Sequence, residues 1–213
     1  MVFTNTTHTM PQPSPKALLF DLGRVLVPFE FNRAYREMEM LTGLDTPEIR
    51  ARLAATNLFR EFETGNIEAE PFAAEVMRVL GFTCGLAEFS RIWNSIFLPE
   101  TLIPESTIQE LQSRYRLIVV SNTNRLHFEM LENTYSIFRY FFGYILSYQV
   151  RAMKPAPAFY AAALAMAECA PHECVFIDDL PENVAGAQLA GFDGIVFESF
   201  PQLQEEFKRR GIL

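Results

Sequence analysis

Short, unbroken apolar runs alternate along this chain with longer stretches in which apolar positions recur every three or four residues. The runs lie at 17–20, 117–120, 144–146, 175–177 and 194–197. They are too short for helices, partly β-branched, and apolar at consecutive positions, so they read as strands buried on both faces. Helical spacing fills most of the intervals, at 106–114, 125–133, 156–167 and 181–190. The run Ala161, Ala162, Ala163 suits a helix packed closely on a sheet, and Gly191 suits the C-cap of the next one. This alternation predicts a mostly parallel sheet with helices on both faces.

The first interval breaks the pattern. Between 31 and 98 no strand is visible, and helices are expected over 32–41, 46–62, 67–80 and 86–96. Gly43, then Thr64, Gly65 and Asn66, then Gly81 punctuate them, and Asp45 and Thr83 or Gly85 stand at starts. Phe72, Val76, Val79 and Leu80 share a face. This is too long for an ordinary crossover and reads as an all-helical insertion over the sheet. Joins are expected near 27–31 and 98–102, where Pro28 and Pro99 lie. The expected division is an α/β core at 16–28 and 100–213, a helical cap at 29–99, and a flexible polar, proline-rich arm at 1–15.

Composition narrows the function classes. With 213 residues, 49% of them apolar, the chain can fill one α/β core plus a small insertion. Lys plus Arg number 18 against 26 Asp plus Glu, a formal charge of -8. That balance argues against nucleic acid and against a polybasic membrane contact, and leaves a small anionic substrate open. Cys84, Cys169 and Cys174 are an odd set without CxxC spacing and read as reduced thiols of a cytoplasmic protein. His172 between Cys169 and Cys174 suggests a metal cluster, but no second ligand pair is near, and a helix end running into a strand is the preferred reading. The first fifteen residues lack the basic head and apolar core of a signal peptide, and no apolar run reaches membrane-spanning length.

The chemistry gathers at strand ends, where open α/β sheets bind ligands. The first strand runs into Asp21, the second into Ser121, Asn122, Thr123 and Asn124, and the fourth into Asp178 and Asp179. Arg151 and Lys154 follow the third. Three converging carboxylates would repel one another and raise their pKa values. A lysine and a hard divalent cation relieve this, and oxygen-only ligands suit magnesium. Ser121, Asn122 and nearby backbone amides offer donors to a phosphate. Taken singly, Asp21 is a turn residue, Lys154 an exposed lysine and Asp179 a helix cap; it is their order, each at a strand end, that points to a site.

In that order the residues resemble the haloacid dehalogenase-like hydrolases, from Lys16 onward. FDLGRVL is similar to the family's first motif, SNTNRLH to its second, MKP to its third and FIDDLPENVAGA to its fourth. Within the family the likeness is greatest to bacterial sugar-phosphate phosphatases of the α-glucose-1-phosphate kind. The resemblance implies a Rossmann-like parallel core with an inserted small helical cap. It also implies Asp21 as nucleophile, Ser121, Asn122 and Lys154 on the phosphate, and Asn183 in support. The expected Mg2+ ligands are Asp21, the Gly23 carbonyl and Asp179, with Asp178 acting mostly through a water or a supporting bond. Arg125 is expected at the rim, and His127 as a helix residue packed on the cap in preference to acid–base work.

Gly23 departs from the pattern. Phosphatases of the family usually carry a second Asp there, which protonates the leaving group and then activates water. General acid–base help is typically worth about 10² to 10⁴ in rate. A glycine keeps the carbonyl and loses the acid, and it also suits a tight, left-handed or closely approached backbone. The leading expectation is magnesium-dependent hydrolysis of a small phosphorylated metabolite, such as a sugar 1-phosphate, by a monomer or homodimer without nucleic-acid or membrane partners. The alternatives are a 2-haloacid dehalogenase using the same nucleophile, which needs neither the second Asp nor the full acidic pair, and an inactive member that binds or regulates. Selectivity is expected from cap residues near the hinge or in the REFETGNI loop: Glu30, Asn32, Arg33, Arg60, Glu63 and Asn66.

Overall fold

The computed structural model describes residues 14–213, so the expected N-terminal arm falls outside the described residues apart from Ser14 and Pro15. The five apolar runs become β1 (Ala17–Phe20), β2 (Arg116–Ser121), β3 (Gly143–Leu146), β4 (Cys174–Asp178) and β5 (Asp193–Val196). They pair in parallel in the order β3-β2-β1-β4-β5. Both faces of this sheet are covered, which is why its strands are apolar at consecutive positions. In β1, Leu18 and Phe20 point into one cluster and Ala17 and Leu19 into another.

The helices are α1 (Phe31–Thr42), α2 (Thr46–Ala54), α3 (Leu58–Glu63), α4 (Ala69–Leu80), α5 (Leu86–Asn94), α6 (Glu105–Gln112), α7 (Arg125–Thr134), α8 (Ser147–Val150), α9 (Pro157–Ala167), α10 (Pro181–Leu189) and α11 (Phe200–Arg209). Residues of α6, α7 and α11 fill the first cluster, those of α9 and α10 the second. The sequence analysis did not anticipate α11. Its signals are a serine cap, with Ser199 Oγ accepting from the Gln202 N–H at 3.3 Å, and the pair Leu203 and Phe207, which enter the core.

Helices α1 to α5 form a third cluster of their own over the sheet. Its centre is aromatic: the Phe62 and Phe72 rings stack at 4.1 Å, and Trp93 meets Phe72 at 4.9 Å. Gly43 and Gly81 stop α1 and α4 in the left-handed conformation, as expected. The single helix expected over 46–62 is instead two, α2 and α3. Thr56 divides them: its hydroxyl donates to the Leu53 carbonyl at 2.6 Å and accepts from the Leu58 N–H at 3.3 Å, competing with the helical ladder. The helix expected over 67–80 starts at Ala69, and that over 86–96 stops at Asn94.

The two crossings between sheet and cap run side by side. The Glu30 N–H donates to the Ile96 carbonyl (2.8 Å), Leu98 N–H to Pro28 (3.1 Å) and Leu102 N–H to Leu26 (2.9 Å), with an antiparallel bridge between Phe29 and Phe97. This ribbon leaves the sheet just after Asp21 and holds the cap above the strand ends.

Candidate active site

The register of the sheet brings the charged strand ends together. Phe20 is level with Val119 on one side and Ile177 on the other, so Asp21 stands beside Val120 and Asp178. The Asp21 N–H donates to the Ile177 carbonyl at 2.8 Å, which continues the strand through the carboxylate-bearing residue. Lys154 enters from the segment after α8 and binds all three neighbours through Nζ. It donates to Asp21 Oδ1 at 2.8 Å, Asp178 Oδ2 at 2.6 Å and the Val120 carbonyl at 2.9 Å. The Lys154 side chain is 1% exposed and that of Asp178 0%. Asp178 Oδ1 accepts from the Leu180 N–H and from Asn183 Nδ2, both at 2.9 Å, so both of its oxygens are held. Asp179 does not cap α10; Leu180 occupies that position, and the Asp179 carboxylate lies with those of Asp21 and Asp178, ligand oxygens within 4.8 Å of one another.

The turn after β2 is braced from below. Ser121 is buried at the strand end. The Asn122 side chain clamps the lysine segment: Nδ2 donates to the Lys154 carbonyl at 3.0 Å and Oδ1 accepts from the Lys154 N–H at 2.8 Å. Its side chain thus positions Lys154. Ser147 Oγ accepts from the Thr123 N–H (2.9 Å) and donates to the Thr123 carbonyl (3.0 Å), tying this turn to the end of β3. Asn124 caps α7, its Oδ1 accepting from the His127 N–H at 3.0 Å. Sequence reasoning missed Ser147; its only signal is a polar residue directly after the run YIL.

His127 is buried and stacks on Trp93 of the cap at 5.6 Å, with Phe97 edge-on at 5.0 Å. Its ring contacts are Asn124 and the Trp93 carbonyl, which is the packing role expected of it. Burial holds it down at a pKa of about 4.

Electrostatics mark the acidic end as under-compensated. Burial, followed by the charge of Asp178, lifts Asp21 to about 7 even with Lys154 in contact. Burial and Asp178 also raise Asp179, against the pull of Arg24 and Lys154. Burial alone would lower Lys154, yet the two aspartates outweigh it and raise the amine, which stays charged. Three carboxylates facing one ammonium leave room for a divalent cation, and an all-oxygen donor set fits magnesium.

Gly23 has an ordinary backbone and is not left-handed. What it permits is a close approach: a Cβ there would lie 2.7 Å from Cε1 of the Phe29 ring. The residues expected to select substrate are scattered. Glu30 and Asn32 line a groove with Arg24, Phe29, Tyr35 and Arg50. Arg33 is tied into the cap, its Nε donating to the Ser95 carbonyl at 2.7 Å. Arg60 is exposed, Glu63 is half-buried, and Asn66 is exposed and bonded to Thr64. Arg125 is half-exposed at the head of α7, 4.0 Å from Glu68 of the cap. The cysteine pair is unbonded, Sγ to Sγ 3.4 Å, and among the described residues the group fit to hold a metal is the aspartate trio.

Comparisons with known proteins agree with this geometry. Residues 15–191 match the family model for haloacid dehalogenase-like hydrolases. The chain is 25% identical over 184 residues to the D-ribitol-5-phosphate phosphatase of Bacteroides thetaiotaomicron, covering 84% of this chain and 89% of that protein. It superimposes with a TM-score of 0.77 on a HAD family enzyme of the same organism, solved with magnesium and inorganic phosphate. That match is 25% identical and covers 89% of this chain and 99% of the other. The L-2-haloacid dehalogenase of Xanthobacter autotrophicus shares the fold at a TM-score of 0.57 and 18% identity, over 93% of this chain and 84% of its own. The phosphatase relative is a D-ribitol-5-phosphate phosphatase, so the narrower likeness to α-glucose-1-phosphate phosphatases is not what these comparisons show.

Proposed function

The chain belongs to the haloacid dehalogenase-like hydrolases, and within that family we propose that it is a magnesium-dependent phosphatase of a small sugar or polyol phosphate, working through a phospho-aspartate on Asp21. The observation that carries this reading is the Lys154 ammonium held between Asp21 and Asp178, with Asp179 beside them, at the ends of adjacent strands. The working division is a core of 16–28 and 100–213 under a cap of 29–99, in a cytoplasmic protein.

Asp21, Asp179 and the Gly23 carbonyl would hold magnesium, with Asp178 supporting Lys154 and the ion from behind. When bound, the ion supplies positive charge against the phosphoryl oxygens. The chain's own parts do the rest. The strand fixes the Asp21 carboxylate for in-line attack on phosphorus. Lys154, the Ser121 hydroxyl and the Asn122 backbone N–H neutralise charge on the transferring group. Asn122 and Asn183 act one step back, by holding Lys154 and Asp178 in place.

The dehalogenase alternative is favoured by one feature, the missing acid at Gly23, since a halide leaves without a proton. The full acidic trio weighs against it. A phosphate-release screen decides between them. The panel is ribitol 5-phosphate, paired sugar 1- and 6-phosphates, an acyl and an aryl phosphate, with 2-chloropropionate alongside. Release that requires magnesium and vanishes in Asp21→Asn supports the proposal, with the better leaving groups turning over faster. Halide release without phosphate release would move the protein to the dehalogenases.

A further inference from the structure

We propose that Cys169 and Cys174 form an oxidation site, a dithiol that hydroperoxides convert to a disulfide at the foot of β4. The site lies at the end of that strand opposite Asp178 and does not depend on the phosphatase reading.

The two sulfurs are already in contact. Sγ lies 3.4 Å from Sγ, and the Cys174 thiol also faces the Ala170 carbonyl at 3.8 Å. A disulfide needs about 2.05 Å, so the approach still to be made is about 1.4 Å. The segment between the cysteines keeps them together. Helix α9 ends at Ala167, and Glu168 turns left-handed at φ 52°. The chain then makes one short turn at Pro171–Glu173 and enters β4. That turn is fastened at both ends: Glu173 Oε2 accepts from the Ala170 N–H at 3.0 Å, and the Ala170 carbonyl accepts from the Glu173 N–H at 2.9 Å. Cys174 itself is level with Ala17 in the sheet. Neither sulfur can leave the other far without opening this turn.

The pair is asymmetric, which divides the work. Cys169 is half-buried and Cys174 is fully buried, so oxidant meets Cys169 first. Lys16 pairs with Glu173 at 2.9 Å. Glu173 above all, and in smaller part a negative charge on Cys169, holds the Lys16 ammonium above its usual range. A cation beside a thiol favours the thiolate, which is the attacking form. Burial, followed by the neighbouring Cys169, pushes the Cys174 thiol well up, so it keeps its proton until Cys169 has reacted. Cys84 provides the contrast: it packs in the cap, with its Sγ 3.7 Å from Met77 Sδ.

The chemistry balances. The Cys169 thiolate attacks one oxygen of hydrogen peroxide, the O–O bond breaks, and Cys169 becomes a sulfenic acid as hydroxide leaves. The Cys174 sulfur then attacks the Cys169 sulfur, the S–O bond breaks and the S–S bond forms. The departing oxygen takes the Cys174 proton and leaves as water. Two thiols are oxidised by two electrons and one peroxide is reduced.

The test treats the reduced full-length protein with hydrogen peroxide and maps its peptides without reductant. The expected product has lost two hydrogens, links the peptides of Cys169 and Cys174, leaves Cys84 free, and reverts with dithiothreitol. Cys84→Ser should form the link at the wild-type rate. Cys174→Ser should stop at a Cys169 sulfenic acid that dimedone traps. If Cys174→Ser does not fold, the wild-type map decides alone. Cys169 running on to a sulfinic acid beside a free Cys174 would overturn the proposal. So would a link from either residue to Cys84 or to a second chain.

Discussion

At the scale of single residues, Lys154 Nζ binds Asp21 and Asp178 together, and Asp179 lies beside them. Their spacing in the folded sheet follows from register alone: Asp21 is one residue beyond the pairing of Phe20 with Val119 and Ile177. The supporting bonds were not legible. Nothing local reveals that the Asn122 amide closes on the Lys154 backbone 32 residues away, or that Ser147 braces Thr123. The glycine at 23 is the residue whose meaning changed most. Its backbone is unstrained, and its role is to let the Phe29 ring lie over it. That ring is braced by Phe31 at 5.1 Å, Phe97 at 6.1 Å and the Arg24 guanidinium at 5.0 Å, so it cannot swing aside freely. Gly23→Ala should therefore destabilise the protein by about 1–3 kcal/mol through overpacking. Phe29→Leu should recover part of that loss in a double-mutant cycle of urea midpoints. Additive effects would show that the ring is not what excludes a side chain.

At the scale of elements, strands and most helices were readable from period and punctuation, while the break at Thr56 and the helix α11 were not. Thr56 ends α2 by a side-chain bond whose competition with the ladder a spacing argument cannot weigh. The element contact of most consequence joins α7 to α5. His127 of α7 is enclosed against Trp93 of α5, and it is held near a pKa of 4 by burial, against 6.5 for the free side chain. Between those values the unfolded chain binds a proton that the folded one refuses, so stability falls as pH drops from about 6.5 to about 4 and is unaffected above that range. At about 1.4 kcal/mol per pKa unit, the full loss is about 3 kcal/mol. Urea midpoints measured from pH 7.5 down to pH 4 should show this dependence in wild type and lose it in His127→Gln. A pH profile shared by both proteins would mean that this ring does not govern acid sensitivity.

At the scale of the whole molecule, the charged cluster lies at the strand ends of the sheet, and helices α1 to α5 pack around a separate apolar cluster. The sheet holds the charged groups at its strand ends, and the helical insertion joins it through a paired ribbon at 26–30 and 96–102. The layered plan was visible in the alternation of apolar runs and helical spacing. The way the REFETGNI loop seats on Tyr148 was not, because that contact joins segments more than eighty residues apart. Among the described residues no helix is long and apolar enough to cross a membrane, and an overall charge of -8 leaves Lys154 as a local positive centre between acidic neighbours. The account stands or falls on covalent phosphate at Asp21. The direct measurement is a rapid acid quench of the enzyme turning over a labelled phosphate ester with magnesium, followed by peptide mapping. The account requires one labile phosphoryl group on the peptide containing Asp21, absent from Asp21→Asn. Label on another residue, or steady turnover by Asp21→Asn, would contradict it.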